Sequence, residues 1–278
     1  MRSRVAVLFV IAVSLASAYK IYAESCAVPN RQLCSVEKKA LEGDTESQYL
    51  LGSAYNNGNG MPRDCKAAAH WLAMSANRGD ARAQNDMGVL YATGCGVEQN
   101  DVQAVKWYLR SASSGFAMAQ NNVGYMFAIG RGIKQSDAAA VHWYEEAARQ
   151  KFGPAYANLA FYYSTGRAVR QDTVKATELL KQSADLGFPP AELELGKMYT
   201  DGRGVKQDFS EALQWIRRAA EHGQSEALRM LGEFYERGMG VKTDTREARR
   251  WYKKATELGS EGARKDLARM STEGTGLP

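Results

Sequence analysis

The tryptophans of this chain recur in a single register of 36 residues, and this period limits the fold more than any other feature does. They are Trp71, Trp107, Trp143, Trp215 and Trp251, and the vacant position holds Leu179. Tyrosine follows the same period at Tyr91, Tyr163, Tyr199 and Tyr235. No insertion or deletion breaks the count from about residue 47 to residue 263. A repeat of this length predicts a solenoid, because each unit can bury its apolar face only against its neighbours.

Each repeat divides into two helices joined by a turn. The first helix carries small and apolar residues at helical spacing, as in Ala83, Gly88 and Tyr91. A Gly-x-Gly turn follows in five of the six repeats, since glycine adopts the positive φ that ends a helix. The second helix then begins after a residue that favours N-caps, successively Asp64, Asn100, Ser136, Asp172, Asp208 and Asp244. Three residues further on, capping boxes are predicted at Gln103, Glu211 and Glu247.

These patterns predict an all-α fold, an α-solenoid of six tandem 36-residue helix–turn–helix repeats with half-repeat caps. Small residues such as Gly88 on one helix and Ala104 on its partner allow the two backbones to approach closely. The tryptophan and tyrosine registers are then predicted to form the structural core between neighbouring hairpins.

The repeat resembles the Sel1-like family, which is related to tetratricopeptide repeats. The fifth repeat carries the fullest match, with Ala191, Leu195, Gly196, Tyr199, Gly202, Gly204, Val205, Asp208, Ala212, Trp215, Ala219, Ala220 and Gly223. The resemblance covers roughly residues 47–263 and is specific for the fold. It implies an adaptor or scaffold that binds a protein or peptide partner, without identifying that partner.

The N-terminus has the features of an export signal. Arg2 and Arg4 precede an apolar run of 11 residues, which is too short to cross a bilayer. Ala16-Ser17-Ala18 is a small-residue cleavage signal, and an uncleaved signal anchor is the alternative. We therefore expect a periplasmic or secreted protein with no transmembrane segment after cleavage. The predicted division is a signal peptide at 1–18 (or cleavage after 23), a cysteine-containing segment and cap helix at 19–43, six repeats at 44–263, and a cap helix with a disordered tail at 264–278.

Four cysteines suit an oxidising compartment. Cys26 and Cys34 are close in sequence, while Cys65 and Cys95 fall on the same rim of adjacent repeats. We favour the pairs Cys26–Cys34 and Cys65–Cys95 among the three possible connectivities. Free buried cysteines or metal-binding cysteines are the alternatives, although the spacing does not resemble a zinc site.

No catalytic motif, metal site or cofactor site emerges from the sequence. His70 and His142 lie two repeats apart in one register, which is too far to share a metal, and His222 suits a helix C-terminus. The glycine pairs are turns rather than phosphate loops. The net charge of +5 is mild and spread over the repeats, so nucleic acid is not an expected partner.

Binding is the remaining role, and the first helices of such arrays usually line the concave face. The predicted partner-binding residues are Met118, Asn122, Tyr125, Ile129, Asn158, Phe161 and Lys197. Side-chain amides can hold a peptide backbone, and exposed aromatic residues supply binding energy. The alternative is that these aromatic residues fold inward and pack between repeats.

The fourth repeat departs most from the pattern, with Ala160, Ala168 and Leu179 at positions that elsewhere hold glycine, glycine and tryptophan. It is interpreted as a bend or a specialised contact site, with neutral drift as the alternative.

The sequence thus favours a monomeric, exported, non-enzymatic scaffold. A hydrolase acting on cell-wall or β-lactam substrates is an alternative, since some cysteine-rich relatives are described as β-lactamases, although their cysteine pair in every repeat is absent here. A glycan-binding module is a third hypothesis.

Overall fold

A computed structural model describes residues 31–273, and within them it contains fourteen α-helices and no β-strand. The predicted signal peptide and Cys26 lie outside this range. No helix in the described part is long and apolar enough to cross a membrane. The helices are α1 Arg31–Leu41, α2 Thr45–Asn57, α3 Cys65–Asn77, α4 Ala81–Thr93, α5 Asp101–Ser113, α6 Ala117–Ile129, α7 Asp137–Arg149, α8 Gly153–Thr165, α9 Thr173–Asp185, α10 Pro189–Asp201, α11 Phe209–Glu221, α12 Ser225–Arg237, α13 Thr245–Glu257 and α14 Glu261–Glu273.

The chain divides into two compact units after Ser136. In the first unit, α2 packs with α3 and α4 with α5 as hairpins, and the second helix of each hairpin packs on the next first helix. In the second unit the same arrangement joins α8 with α9, α10 with α11, and α12 with α13. The predicted all-α solenoid of helix–turn–helix repeats is confirmed.

The helix ends follow from local chemistry. Asp64 caps α3 by accepting from the amides of Lys66 and Ala67, and Asn100, Asp172, Asp208 and Asp244 cap later second helices in the same way. The predicted capping boxes are wrong. The N-cap amide of Asp208 already donates to the carbonyl of Tyr199, and that of Asn100 donates to Tyr91, so a side chain three residues on has no amide to accept from.

Glycine on the first helix lets the two helices of a hairpin touch. A Cβ added to Gly88 would lie 2.5 Å from the ring of Tyr108, and one added to Gly232 would lie 2.6 Å from the ring of Tyr252. The rings of Tyr108 and Tyr252 are buried in the space left by the absent glycine side chains. Burial raises the pKa of the Tyr108 hydroxyl to about 12. In repeat four, where Ala160 replaces the glycine, the opposite residue is the smaller Leu180.

The predicted core aromatics occupy the margin of the core more than its centre. Trp215 is buried, whereas Trp71, Trp107, Trp143 and Trp251 are half-buried, as are Tyr91, Tyr163, Tyr199 and Tyr235. Most of them pack against clusters of buried alanine and leucine. The most deeply buried rings are instead Tyr144, Tyr252 and Phe234, which the sequence patterns did not single out.

We expect Gly88→Ala to lower the free energy of unfolding by about 1–3 kcal/mol, because the new methyl group overpacks against Tyr108. At a helical glycine with free space around it, the same change would instead raise the free energy of unfolding by up to about 1 kcal/mol. Urea denaturation followed by circular dichroism measures the difference. The double variant Gly88→Ala/Tyr108→Leu, which copies the pairing of Ala160 with Leu180, should recover most of the loss. A gain in stability for the single variant would contradict the close-approach explanation.

Candidate functional site

One set of contacts changes its chemistry from repeat to repeat. In the first three repeats, the first residue of the second helix contacts the middle residue of the turn in the next repeat, 30 positions later. We call this contact the turn seam. The residues at these two positions of the five successive seams are Cys65 and Cys95, Asp101 and Arg131, Asp137 and Arg167, Thr173 and Arg203, and Phe209 and Met239.

The first seam is covalent. Cys65 and Cys95 form a disulfide with their Cα atoms 5.1 Å apart, which confirms the predicted pair. The pairing of Cys26 with Cys34 stays a prediction, because Cys26 lies outside the described residues.

The next two seams are ionic. Arg131 Nε lies 2.8 Å from an Oδ of Asp101, and Arg167 Nη2 lies 2.7 Å from an Oδ of Asp137. The hydrogen bond from each arginine to its aspartate raises the pKa of the guanidinium. Both aspartates are the first residues of their helices, where negative charge is favoured.

The seam of repeat four lacks its carboxylate. Thr173 stands where Asp101 and Asp137 stand in the earlier seams, so Arg203 has no acidic group across the seam within residues 31–273. Its guanidinium pairs instead with Glu194 at 3.2 Å and Asp201 at 3.1 Å, on the edge of its own repeat. The Arg203 side chain is 56% exposed, against 38% for Arg131.

The backbone is also further apart at this seam. At other seams, the second glycine of the turn lies close to a backbone carbonyl of the preceding repeat, that of the first residue in its second helix. A Cβ on Gly240, for example, would come within 2.6 Å of the oxygen of Phe209. A Cβ on Gly132 would lie still closer to the oxygen of Asp101. Gly204 makes no such approach to Thr173, and its nearest neighbours are the side chains of Thr177 and Met198.

A cavity of about 390 Å³ occupies the open seam. Its walls come from α8, α9, α10 and the turn after α10. The apolar lining is Ala157, Ala160, Phe161, Ala176, Leu180 and Met198, and Arg203 lies at its edge beside Glu194. Repeat four, interpreted from sequence as a bend or a specialised contact site, thus borders a cavity.

The predicted binding residues of the first unit lie along one face of α6. Met118, Tyr125 and Ile129 are 44%, 52% and 46% exposed, so their apolar side chains do not fold inward. Asn122 lies between them, half-buried, and its amide nitrogen donates to the buried Asn85 at 2.9 Å. Its amide group therefore already bonds to the neighbouring first helix.

The predicted residues of the second unit fall into different surroundings. Phe161 on α8 is 49% exposed and forms part of the cavity wall. Asn158 is half-buried on the same helix. Lys197 on α10 lies instead in a depression that contains Glu226 and Arg229 of the next repeat. Phe161 and Lys197 thus line different pockets.

A buried carboxylate was not among the predicted sites. Glu192 on α10 is fully buried, with Oε1 3.0 Å from Arg218 Nη2 and Oε2 3.7 Å from His222 Nε2. Neither oxygen accepts a well-directed hydrogen bond from the described residues. The sequence signal is that Glu192 stands in a register that holds glutamine in the first three repeats. Gln48, Gln84 and Gln120 each donate to the backbone carbonyl eight residues earlier. In repeat five Arg218 donates to that carbonyl, of Ala184, at 2.8 Å.

Among residues 31–273 no group of three histidine, cysteine, aspartate or glutamate side chains is arranged to hold a metal ion. His70 and His142 each stack edge-on against the adjacent tryptophan.

Comparisons with known proteins agree with the repeat architecture. A family model of the Sel1 repeat matches residues 45–80, 81–116, 117–152, 153–188, 189–224 and 225–260. No curated protein matches the chain.

Among solved structures, a protective antigen present in uropathogenic Escherichia coli strains is 31% identical with a TM-score of 0.73. The match covers 89% of this chain but only 53% of that protein. A Sel1 repeat protein from Oxalobacter formigenes is 32% identical with a TM-score of 0.73, over 78% of this chain and 89% of that one. An immunity protein of Pseudomonas aeruginosa, Pa5087, shares only the fold, at 18% identity and a TM-score of 0.55 over 77% and 81% of the two chains.

We expect Arg218→Ala to lower the free energy of unfolding by about 2–3 kcal/mol, because it leaves the buried Glu192 carboxylate with a weaker counter-charge. This loss of stability is smaller than the loss expected when a fully buried ion pair is broken, because Arg218 itself is partly exposed. Adding Glu192→Gln should restore most of the stability, because the amide can donate to Ala184 as its counterparts do elsewhere. Thermal and urea melts of the two variants measure this. If the double variant is no more stable than Arg218→Ala, the explanation fails.

Proposed function

Because the chain belongs to the Sel1 repeat family, whose repeats generally mediate protein–protein interactions, we propose that it is an exported scaffold that binds a protein or peptide partner. The proposed binding surface is the face of the first helices that the sequence predicts to be concave. On the first unit the proposed contacts are Met118, Asn122, Tyr125 and Ile129, and on the second unit they are Asn158, Phe161 and Lys197.

One observation carries this proposal, namely the apolar face of α6. Met118, Tyr125 and Ile129 are spaced seven and four residues apart, which places them on one side of the helix. All three are large and exposed. Large exposed apolar residues grouped on one surface are typical of sites that become covered by a partner. Tyrosine also contributes strongly to binding where a partner excludes water from it.

The hydrogen bond between Asn122 and Asn85 supports the same surface. It joins the face of α6 to the neighbouring first helix, α4, through a buried side chain. A side chain held in this way loses less conformational entropy when a partner binds beside it. Asn122 thus contributes rigidity, and the apolar side chains on either side of it contribute contact area.

Export is supported by two observations. The Cys65–Cys95 disulfide suits an oxidising compartment, because thiols are kept reduced in the cytosol. The N-terminal charge and hydropathy pattern is that of a signal peptide. We therefore place the protein in the periplasm or outside the cell.

The test uses the purified chain as bait in an envelope extract of the source cells, with captured proteins quantified by mass spectrometry. We expect Met118→Ala/Tyr125→Ala to reduce capture of a specific partner by more than about tenfold, since hot-spot truncations commonly cost that much. The matched control is Val102→Ala, which removes another exposed apolar side chain from α5. Equal recovery by wild type and the double variant would exclude the α6 face as the binding surface.

A further inference from the structure

We propose that the open turn seam of repeat four is a subsite for a peptide in which a large apolar side chain stands next to an acidic residue. This inference rests on the proposed scaffold function and adds the chemistry of the segment bound. It uses a different surface from the α6 face, so the two can fail independently.

The walls of the cavity define the apolar half of the ligand. Its apolar lining includes the small residues Ala157, Ala160 and Ala176 and the larger residues Leu180 and Met198. Phe161 stands at the mouth with half of its surface exposed. A volume of about 390 Å³ is enough for a phenylalanine or leucine side chain entering from solvent. Such a side chain would cover Phe161 and gain the burial of both apolar surfaces.

The chain itself indicates the acidic half. At two other seams an arginine in the position of Arg203 binds an aspartate across the seam, at Asp101 and Asp137. In repeat four the position of that carboxylate is occupied by Thr173, and the cavity lies directly beside it. A ligand carboxylate placed there would restore the contact that the earlier seams make internally. Arginine is well suited to this role because its planar guanidinium binds carboxylates in a bidentate manner.

The present partners of Arg203 do not prevent this exchange. The side chains of Glu194 and Asp201 are 45% and 53% exposed, and ion pairs between exposed groups contribute little because water and salt compete for them. A second depression meets the cavity at Thr173 and is lined by Arg170, Lys175 and Asp172. Its two cations outnumber its one carboxylate, which favours an acidic ligand at this end of the cavity.

Two substitutions should close the site without disturbing the fold, because the chain already uses them at equivalent positions. Thr173→Asp reproduces Asp101 and Asp137 and gives Arg203 a partner across the seam. Thr177→Leu fills the cavity with a larger apolar side chain. The equivalent positions of three other repeats already hold apolar residues, namely Val105, Val141 and Leu213. We expect the double variant to melt at or above the temperature of the wild type. Thr245→Asp is the matched control, since it adds the same charge at the first position of α13, away from the cavity.

The experiment titrates the full chain, carrying ¹³C-labelled methionine methyl groups, with the blocked peptide Ser-Phe-Asp-Ser. Met198 lines the cavity and reports on it directly, whereas Met118 reports on the α6 face. We expect a saturable shift of the Met198 signal, at least about fivefold weaker binding of the Ser-Phe-Asn-Ser and Ser-Ala-Asp-Ser peptides, and no Met198 response in Thr173→Asp/Thr177→Leu. Thr245→Asp should behave as the wild type.

A second variant keeps the test valid if the double variant melts early. Arg203→Gln should retain the preference for phenylalanine over alanine but abolish the preference for aspartate over asparagine. The inference is overturned if Met198 does not respond up to the solubility of the peptide, or if Arg203→Gln leaves the aspartate preference unchanged. A response at Met118 alone would also overturn it, while leaving the proposed binding function of the α6 face intact.

Discussion

The close approach of the two helices in the glycine-containing hairpins, such as α4 with α5 and α10 with α11, is the constraint on which the rest of this structure depends. Glycine on the first helix leaves no side chain between the backbone and a ring or branched residue of the second helix, as at Gly88 with Tyr108 and Gly196 with Ile216. A hairpin built this way is thin and cannot enclose a core of its own. Its apolar surface must be buried by the next hairpin, and the strict 36-residue period follows from that need.

The constant 36-residue period leaves the turn seams free to vary in chemistry. The same two positions hold a disulfide, an ion pair, a second ion pair and an open threonine–arginine pair along the chain. At the last seam, Phe209 and Met239 both pack against one apolar core cluster. Variation at a position with fixed surroundings is the means by which repeat proteins acquire specific sites, because one substitution alters a surface without altering the fold. The seam at Thr173 is an example. It lacks the carboxylate that Asp101 and Asp137 supply at two other seams, and a cavity lies beside it.

The helices and the Cys65–Cys95 disulfide could be predicted from the sequence, because both depend on spacing within one period. The capping boxes could not, because the amide of Asp208 is already engaged by the carbonyl of Tyr199, a contact made through the turn. Glu192 and the cavity escaped prediction for a related reason. They depend on which side chains face each other across neighbouring repeats, and a register of single positions does not show such pairs. The break at Thr173 becomes visible only when positions 30 apart are read together as partners.

The disulfide of the first seam bears on the order in which the array assembles. An array of equivalent repeats can in principle begin to fold at any point along its length. A covalent link between Cys65 and Cys95 removes that equivalence, because it restricts the unfolded chain over 30 residues and so favours the hairpins that contain it. A chain oxidised at this position therefore loses less conformational entropy when repeats one and two fold than when a pair of repeats without a covalent link folds.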